Sequence, residues 1–196
     1  MSHFDAIYPI IRAHEGGHTV DHAGHTAYGV TLAFLLDIVD QDPRLKKALD
    51  VNGDGRVDLF DLRRFEPRHS EEAFRSYFDV TGCDRIVNPL VAAKVFDYCV
   101  NMGTKRGVQL CQRASCAALH EDHWLKDDGV LGPKSLTVFN AVDPGIFFGS
   151  ACAVGAAFYD RLVDINPSKY ARFSLGWRRR AYSTVFLDIL GETWKS

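Results

Sequence analysis

Neither sign of charge dominates this chain: 23 Lys and Arg stand against 25 Asp and Glu, for a formal net charge of −2. Without a whole-protein basic field, nothing gathers nucleic acid over long range, and no nucleic-acid partner is expected. The five cysteines, Cys83, Cys99, Cys111, Cys116 and Cys152, are odd in number and form no CxxC pair. A fully paired disulfide framework is therefore excluded, and reduced, packed thiols in a chain made in the cytoplasm are expected. The opening Met1-Ser2-His3-Phe4-Asp5 lacks the basic stretch and apolar run of a secretory signal. Long hydrophobic runs are also missing. The longest uncharged stretch, residues 144–159, is too short to span a bilayer and contains Gly145, Gly149 and Gly155, so it reads as a buried core helix rather than a membrane insertion. Alternating apolar and polar residues are absent except weakly in one Gly-rich stretch. The fold class is mostly α.

What is present supports that class. With 196 residues, 46% of them hydrophobic, the chain can bury a sizeable core as a monomer. Ser2 with Asp5 resembles a capping box ahead of the stripe Phe4, Ile7, Tyr8 and Ile11, in which Pro9 predicts a kink or a late start. Thr31 and Ser70 are placed to cap helices, and Pro89, Pro133, Pro144 and Pro167 stand where first helical residues belong. The turn at Asn101-Met102-Gly103 separates two amphipathic patterns and predicts a helical hairpin.

The most specific metal motif runs from Asp50 to Asp61. Oxygen-bearing side chains occupy positions 1, 3, 5, 9 and 12 of a twelve-residue EF-hand pattern (Asp50, Asn52, Asp54, Asp58 and Asp61). Gly55 stands at the sharp turn, and the Arg56 carbonyl falls at position 7. This spacing predicts a structural Ca²⁺ loop; aspartate at position 12, where an EF-hand usually has glutamate, makes it dockerin-like. No organic cofactor is expected.

The chemistry is expected at His14-Glu15-Gly16-Gly17-His18. Glu15 closes an apolar helical pattern and precedes two glycines, so its carboxylate faces the negative end of the helix dipole. That field favours the protonated form, which is what a general acid needs. One alternative is a zinc peptidase, since His14 and His18 flank Glu15 in the H-E-x-x-H pattern, with His22 and His25 as further ligands. Two glycines inside that pattern cost a helix about 1 kcal/mol each where ligand geometry must be rigid, which argues against it. Glycoside hydrolysis instead pairs an acid with a carboxylate or positioned water across the scissile bond. Asp21 and Thr26, on the return loop, can fill those places. A catalytically inactive, calcium-dependent wall-binding module is the third reading.

Glu15-Gly16-Gly17, Asp21, and the run Gly24-His25-Thr26 through Gly29-Val30-Thr31 resemble the start of the glycoside hydrolase family 108 muramidases of phage endolysins and bacterial secretion activators. The resemblance continues through Asp50 to Asp61, Phe96-Asp97-Tyr98-Cys99-Val100-Asn101-Met102-Gly103, Asp128-Gly129-Val130-Leu131-Gly132-Pro133 and Gly176-Trp177-Arg178-Arg179-Arg180. Ala23, Ala27 and His18 depart from the family's usual glycine, asparagine and aromatic. The resemblance implies a lysozyme-like helical fold and cleavage of bacterial peptidoglycan, with Glu15 as catalytic acid. It also implies access to the wall through a holin, dedicated secretion or lysis. Residues 1–94 would form the catalytic part, including loop 50–61. Residues 95–196 would form a part resembling a peptidoglycan-binding region, packed with it as one compact unit. Tyr28, Asn101 and Tyr159 are candidates for lining the saccharide groove, although aromatic residues in helical stripes more often serve the core.

Overall fold

A computed structural model describes residues 3–14, 19–21, 24–119, 125–183 and 186; for residues 13, 14, 19–21, 24 and 25 it describes the backbone alone. The chain divides into two compact units, Met1–Cys83 and Asp84–Ser196. The expected boundary at residue 94 falls inside a continuous helix, because the motif block at Phe96 begins about two turns after that helix starts.

In the first unit, α1 (His3–His14) buries Phe4, Ile7, Tyr8, Ile10 and Ile11. Pro9 lies inside the helix on its exposed side and does not end it. Three short strands, β1 (Thr19–Asp21), β2 (Gly24–Ala27) and β3 (Val30–Thr31), form an antiparallel sheet in the order β1-β2-β3. Thr31 then caps α2 (Leu32–Gln41), its hydroxyl accepting from the Phe34 N–H at 3.2 Å. Two single-turn helices follow, α3 (Lys46–Leu49) and α4 (Leu59–Leu62), on either side of the acidic loop. The unit closes with α5 (Pro67–Thr81), which ends on Gly82 in the left-handed conformation. Aromatic rings tie α1, α2 and α5 together: Phe4 meets Phe78 at 5.8 Å, Tyr8 meets Phe74 at 6.1 Å, and Phe34 meets Tyr77 edge-on at 4.7 Å.

Ser70 is not the cap of α5. The helix starts one turn earlier at Pro67, with Glu66 as its cap, and the buried Ser70 hydroxyl donates to the Tyr28 carbonyl at 2.9 Å. The capping partner is His69, whose Nδ1 accepts from the Glu66 N–H at 2.9 Å.

The second unit is built around α6 (Pro89–Met102), in which every residue from Leu90 to Cys99 is buried. Asn88 caps it through the Leu90 and Val91 amides. A single residue, Gly103, joins it to α7 (Thr104–Leu119). The two approach so closely that a Cβ on Gly107 would come within 2.5 Å of the Cys99 nitrogen. The turn after α7 is organised by buried Gln112: its Nε2 donates to Asp128 Oδ1 at 3.0 Å and the Val130 carbonyl at 3.2 Å, and its Oε1 accepts from Gly129 N–H at 2.9 Å. This sets the entry to α8 (Pro133–Ala141).

Asp143 caps α9 (Pro144–Ile165), accepting from Ile146 N–H at 2.8 Å. By length and composition α9 could cross a membrane; here it packs against α6 and α7, burying Phe147, Phe148, Ala151, Cys152 and Tyr159 among others. The Tyr98 hydroxyl donates to the Ala151 carbonyl at 2.7 Å and occupies the space where a Cβ on Gly155 would stand. Asn166 caps α10 (Pro167–Tyr170), and a 3₁₀ turn leads into α11 (Ser174–Ala181). All five cysteines are free, four of them buried.

Burial, and secondarily the neighbouring Arg68, lowers the His69 pKa below its ordinary value. A group whose folded pKa is depressed contributes stability that is complete above its unfolded value, about 6.5, and lost as pH falls toward the folded value. Glutamine can make the same capping contact without titrating. The melting temperature of His69→Gln should therefore fall less than that of the wild type between pH 7.5 and 5.5; equal falls would show that the His69 cap does not depend on its neutral form.

Candidate active site

Glu15 lies outside the described residues, between His14 at the end of α1 and Thr19 at the start of β1. The frame on either side of it is described. Asp21 pairs with Gly24, and Thr26 pairs with both Thr19 and Thr31, which places Asp21 and Thr26 on adjacent strands of one small sheet. The side chains of Asp21 and His25 lie outside what is described, as do His18 and His22. Ala27 and Val30 are fully buried, so their face of the sheet meets the core. By strand alternation the half-buried Thr26 and exposed Thr31 occupy the opposite face.

Two residues, Tyr28 and Gly29, turn β2 into β3, with φ of 50° and 84°. Both positions require the left-handed region, as two-residue hairpins of this hand do. Tyr28 is the sole non-glycine with positive φ among the described residues, and such strain persists only where the surroundings hold it. Here Ser70 holds it, gripping the Tyr28 carbonyl from α5. Beside Ser70 lies the buried Tyr8 hydroxyl, which makes no hydrogen bond of good geometry. Burial raises its pKa, opposed by Ser70 and Arg12, so it remains a neutral donor under the hairpin. Sequence reading missed both roles. Tyr8 reads as part of an apolar stripe; the signal is that it carries a hydroxyl and precedes Glu15 by seven residues, two helical turns.

The acidic loop meets the same sheet, since α4 packs against β2. Asp50 Oδ1 accepts from the Gly53 and Asp54 amides at 2.8 and 3.1 Å, and its Oδ2 accepts from Gly55 at 2.8 Å. Fully buried Asp61 reaches back across the loop, accepting from Asn52 N–H at 3.0 Å and Asp58 N–H at 2.8 Å. Asp54 accepts from the Arg56 amide at 2.9 Å, and Asp58 caps α4 through Phe60 at 2.7 Å. Gly53 and Gly55, with φ of 75° and 84°, make the sharp turn. Among the described residues, no three His, Cys, Asp or Glu side chains converge as a metal-binding group. The candidate donors are all oxygens, however, and a carboxylate oxygen that accepts one amide keeps a lone pair, so the set suits a hard cation.

The remaining groove candidates are placed in the second unit. Tyr159 is 2% exposed and packs with Ala156 and Ala181, stacking on Trp177 at 5.1 Å. It is a core residue rather than a groove wall, because its stripe on α9 faces α11. Its hydroxyl donates to Asn101 Oδ1 at 2.6 Å, which engages the side chain of Asn101 within the unit as well.

Residues 8–103 match the family described as glycosyl hydrolase 108. Among solved structures, "Structure of Brucella abortus SagA" superimposes with a TM-score of 0.69 at 20% identity, covering 96% of this chain and 94% of that one. At that identity the likeness shows the fold, which is mostly helical. No curated protein matches the chain.

Burial pushes the Tyr159 phenol above its ordinary range, so it stays a neutral donor to Asn101. Tyr159→Phe should therefore lower unfolding free energy by about 0.5–1.5 kcal/mol in urea, the net worth of a hydrogen bond to the half-buried Asn101. A tyrosine lining an open groove would leave stability within about 0.5 kcal/mol, and that result would restore it as a groove candidate.

Proposed function

Residues 8–103 belong to the glycosyl hydrolase 108 family, and from that premise we propose that the protein is an N-acetylmuramidase, cleaving the β-1,4 bond between N-acetylmuramic acid and N-acetylglucosamine in bacterial peptidoglycan. The observation that carries this reading is that the family match spans the frame around Glu15: α1 from Tyr8 onward, the three-stranded sheet, the acidic loop and α5. Glu15 donates its proton to the oxygen of the departing sugar as the glycosidic bond breaks, and a water adds to the anomeric carbon. Asp21 serves as base or electrostatic partner, and the Thr26 hydroxyl orients the water. The sheet gives these two roles a common support, with its hairpin fixed from α5 by Ser70.

Glu15→Gln keeps the side chain's shape and removes its acid proton, so turnover on peptidoglycan should fall by about 10²–10⁴-fold with the melting curve unchanged. Retention of more than about a tenth of wild-type turnover would exclude Glu15 as general acid. Mass spectrometry of the wild-type digest should find new reducing sugar ends and intact stem peptides. Cut peptides, together with zinc at one per chain, would instead select the peptidase reading, and no product at all the inactive module.

The acidic loop has a structural part in the same proposal: Asp50, Asn52, Asp54, Asp58 and Asp61, with the Arg56 carbonyl, hold a calcium ion. Four carboxylates brought to one turn repel each other, and a bound cation that favours the folded state stabilises it by RT ln(1 + [L]/Kd). Calcium should raise the melting temperature of the wild type, and Asp50→Ala with Asp54→Ala should abolish that rise while retaining activity at low temperature. A wild-type melting curve indifferent to millimolar calcium would reduce the loop to an acidic turn held by its own amides.

A further inference from the structure

One segment of the second unit, residues 165–186, carries charge of one sign only. From Ile165 to Phe186 there is no Asp or Glu, while Lys169, Arg172, Arg178, Arg179 and Arg180 all fall within it. Two of the five are paired within the chain, one at the surface and one in the interior. Arg178 forms two bonds to Asp160 at 2.8 and 2.9 Å, and Arg180 meets buried Asp97 at 2.9 Å. Lys169, Arg172 and Arg179 are exposed.

Helical spacing puts these three on one stripe with Leu175 and Tyr182, at intervals of three or four residues. Leu175 is 63% exposed and Tyr182 57%, and Phe173 beside them is 40% exposed. The opposite stripe, Tyr170, Trp177 and Ala181, packs inward on Tyr159. Arg172 lies over Phe173 at 4.6 Å and Lys169 over Tyr170 at 4.9 Å, rings that themselves pack on Trp177, while exposed Leu175 and Tyr182 stand among the cations and give their face its apolar surface. The stripe runs over α10, the 3₁₀ turn and α11, and an exposed strip of apolar and basic residues with no acid among them is a surface that an anionic lipid interface complements.

We propose that this stripe, Lys169, Arg172, Leu175, Arg179 and Tyr182, docks the protein peripherally on an anionic lipid surface. A saccharide partner fits less well. Sugars seat on open aromatic planes, whereas Trp177 is stacked by Tyr159 at 5.1 Å and Phe173 at 5.4 Å within the protein, and the exposed centre of the stripe is an aliphatic leucine. The near-zero net charge of the chain makes the interaction local and salt-sensitive. It does not depend on the proposed hydrolysis, because none of the residues assigned to catalysis takes part.

The test is co-sedimentation of the full chain with vesicles of phosphatidylglycerol and phosphatidylcholine in equal parts, against pure phosphatidylcholine, at 50 and 500 mM salt. Binding should require phosphatidylglycerol and weaken at high salt. Each cation removed should lower partitioning about fivefold, on the order of a hundredfold for the triple variant Lys169→Gln, Arg172→Gln, Arg179→Gln. Leu175→Ser should lower it about tenfold with the charge unchanged. Because all four positions are exposed, the variants should melt as the wild type does. Absence of binding at 50 mM salt, or binding that the triple variant leaves unchanged, overturns the proposal. So does loss of co-sedimentation with insoluble peptidoglycan in the triple variant without any vesicle binding by the wild type, which would assign the stripe to the wall polymer.

Discussion

Burying charge in the middle of a helix is the constraint on which the second unit depends. α6 is covered on every side, yet it carries Lys94 and Asp97, both at zero exposure. Neither can leave water without a partner, since an uncompensated buried charge costs several kcal/mol. Both partners come from α11 or its end. Lys94 donates to the Ala181 carbonyl at 3.0 Å within a ring of Tyr98, Phe148 and Phe186, and Asp97 meets Arg180. The two charges therefore select one position for α11 where apolar packing alone would accept several. The basic cluster Arg178-Arg179-Arg180 is split by this requirement: one arginine turns to the core, one binds Asp160, and one is left to the surface.

In the first unit the corresponding constraint is backbone strain. A tyrosine in the left-handed conformation at a two-residue turn is held by a hydroxyl from a helix 42 residues away in sequence. The sheet is too small to be stable alone, as isolated short hairpins are marginal in water. Its rigidity is borrowed from α5 through Ser70 and from α4, which packs against β2. Residues that act on a substrate from such a sheet need that support, because a displacement of about 1 Å is enough to cost catalysis.

Much of this was legible in the sequence wherever the determining contact is local. Thr31 announces its helix because a cap bonds two or three residues ahead, and Pro89, Pro133, Pro144 and Pro167 mark first turns because a first helical residue needs no partner for its nitrogen. The turn at Gly55 was readable in the same way. What failed was what depends on distant partners. Ser70 reads as a cap until Tyr28 is brought to it, and for Tyr159 the sequence leaves groove and core side by side until Trp177 and Ala181 cover it. Residue 94 lies inside α6, which runs unbroken from Pro89 to Met102 through the point where the recognisable motif begins, while the units divide at Cys83 and Asp84. For the candidate site, the sequence supplied Glu15, Asp21 and Thr26; the described structure adds the register between the strands of the last two and the residues beneath the hairpin.

The meeting of Tyr98 with Gly155 has a consequence for how α9 lies along α6. The hydroxyl fills the place of a missing side chain, with its proton on the carbonyl one turn earlier. Sliding α9 by one turn in either direction would set Ala151 or Tyr159 against that hydroxyl in place of the glycine. The pair thus works as a key in a slot, allowing a single longitudinal setting of the longest helix. Tyr159 stands one turn beyond the slot and carries Trp177 on its ring, so the alignment fixed at Gly155 is transmitted along the helix to the aromatic seam with α11.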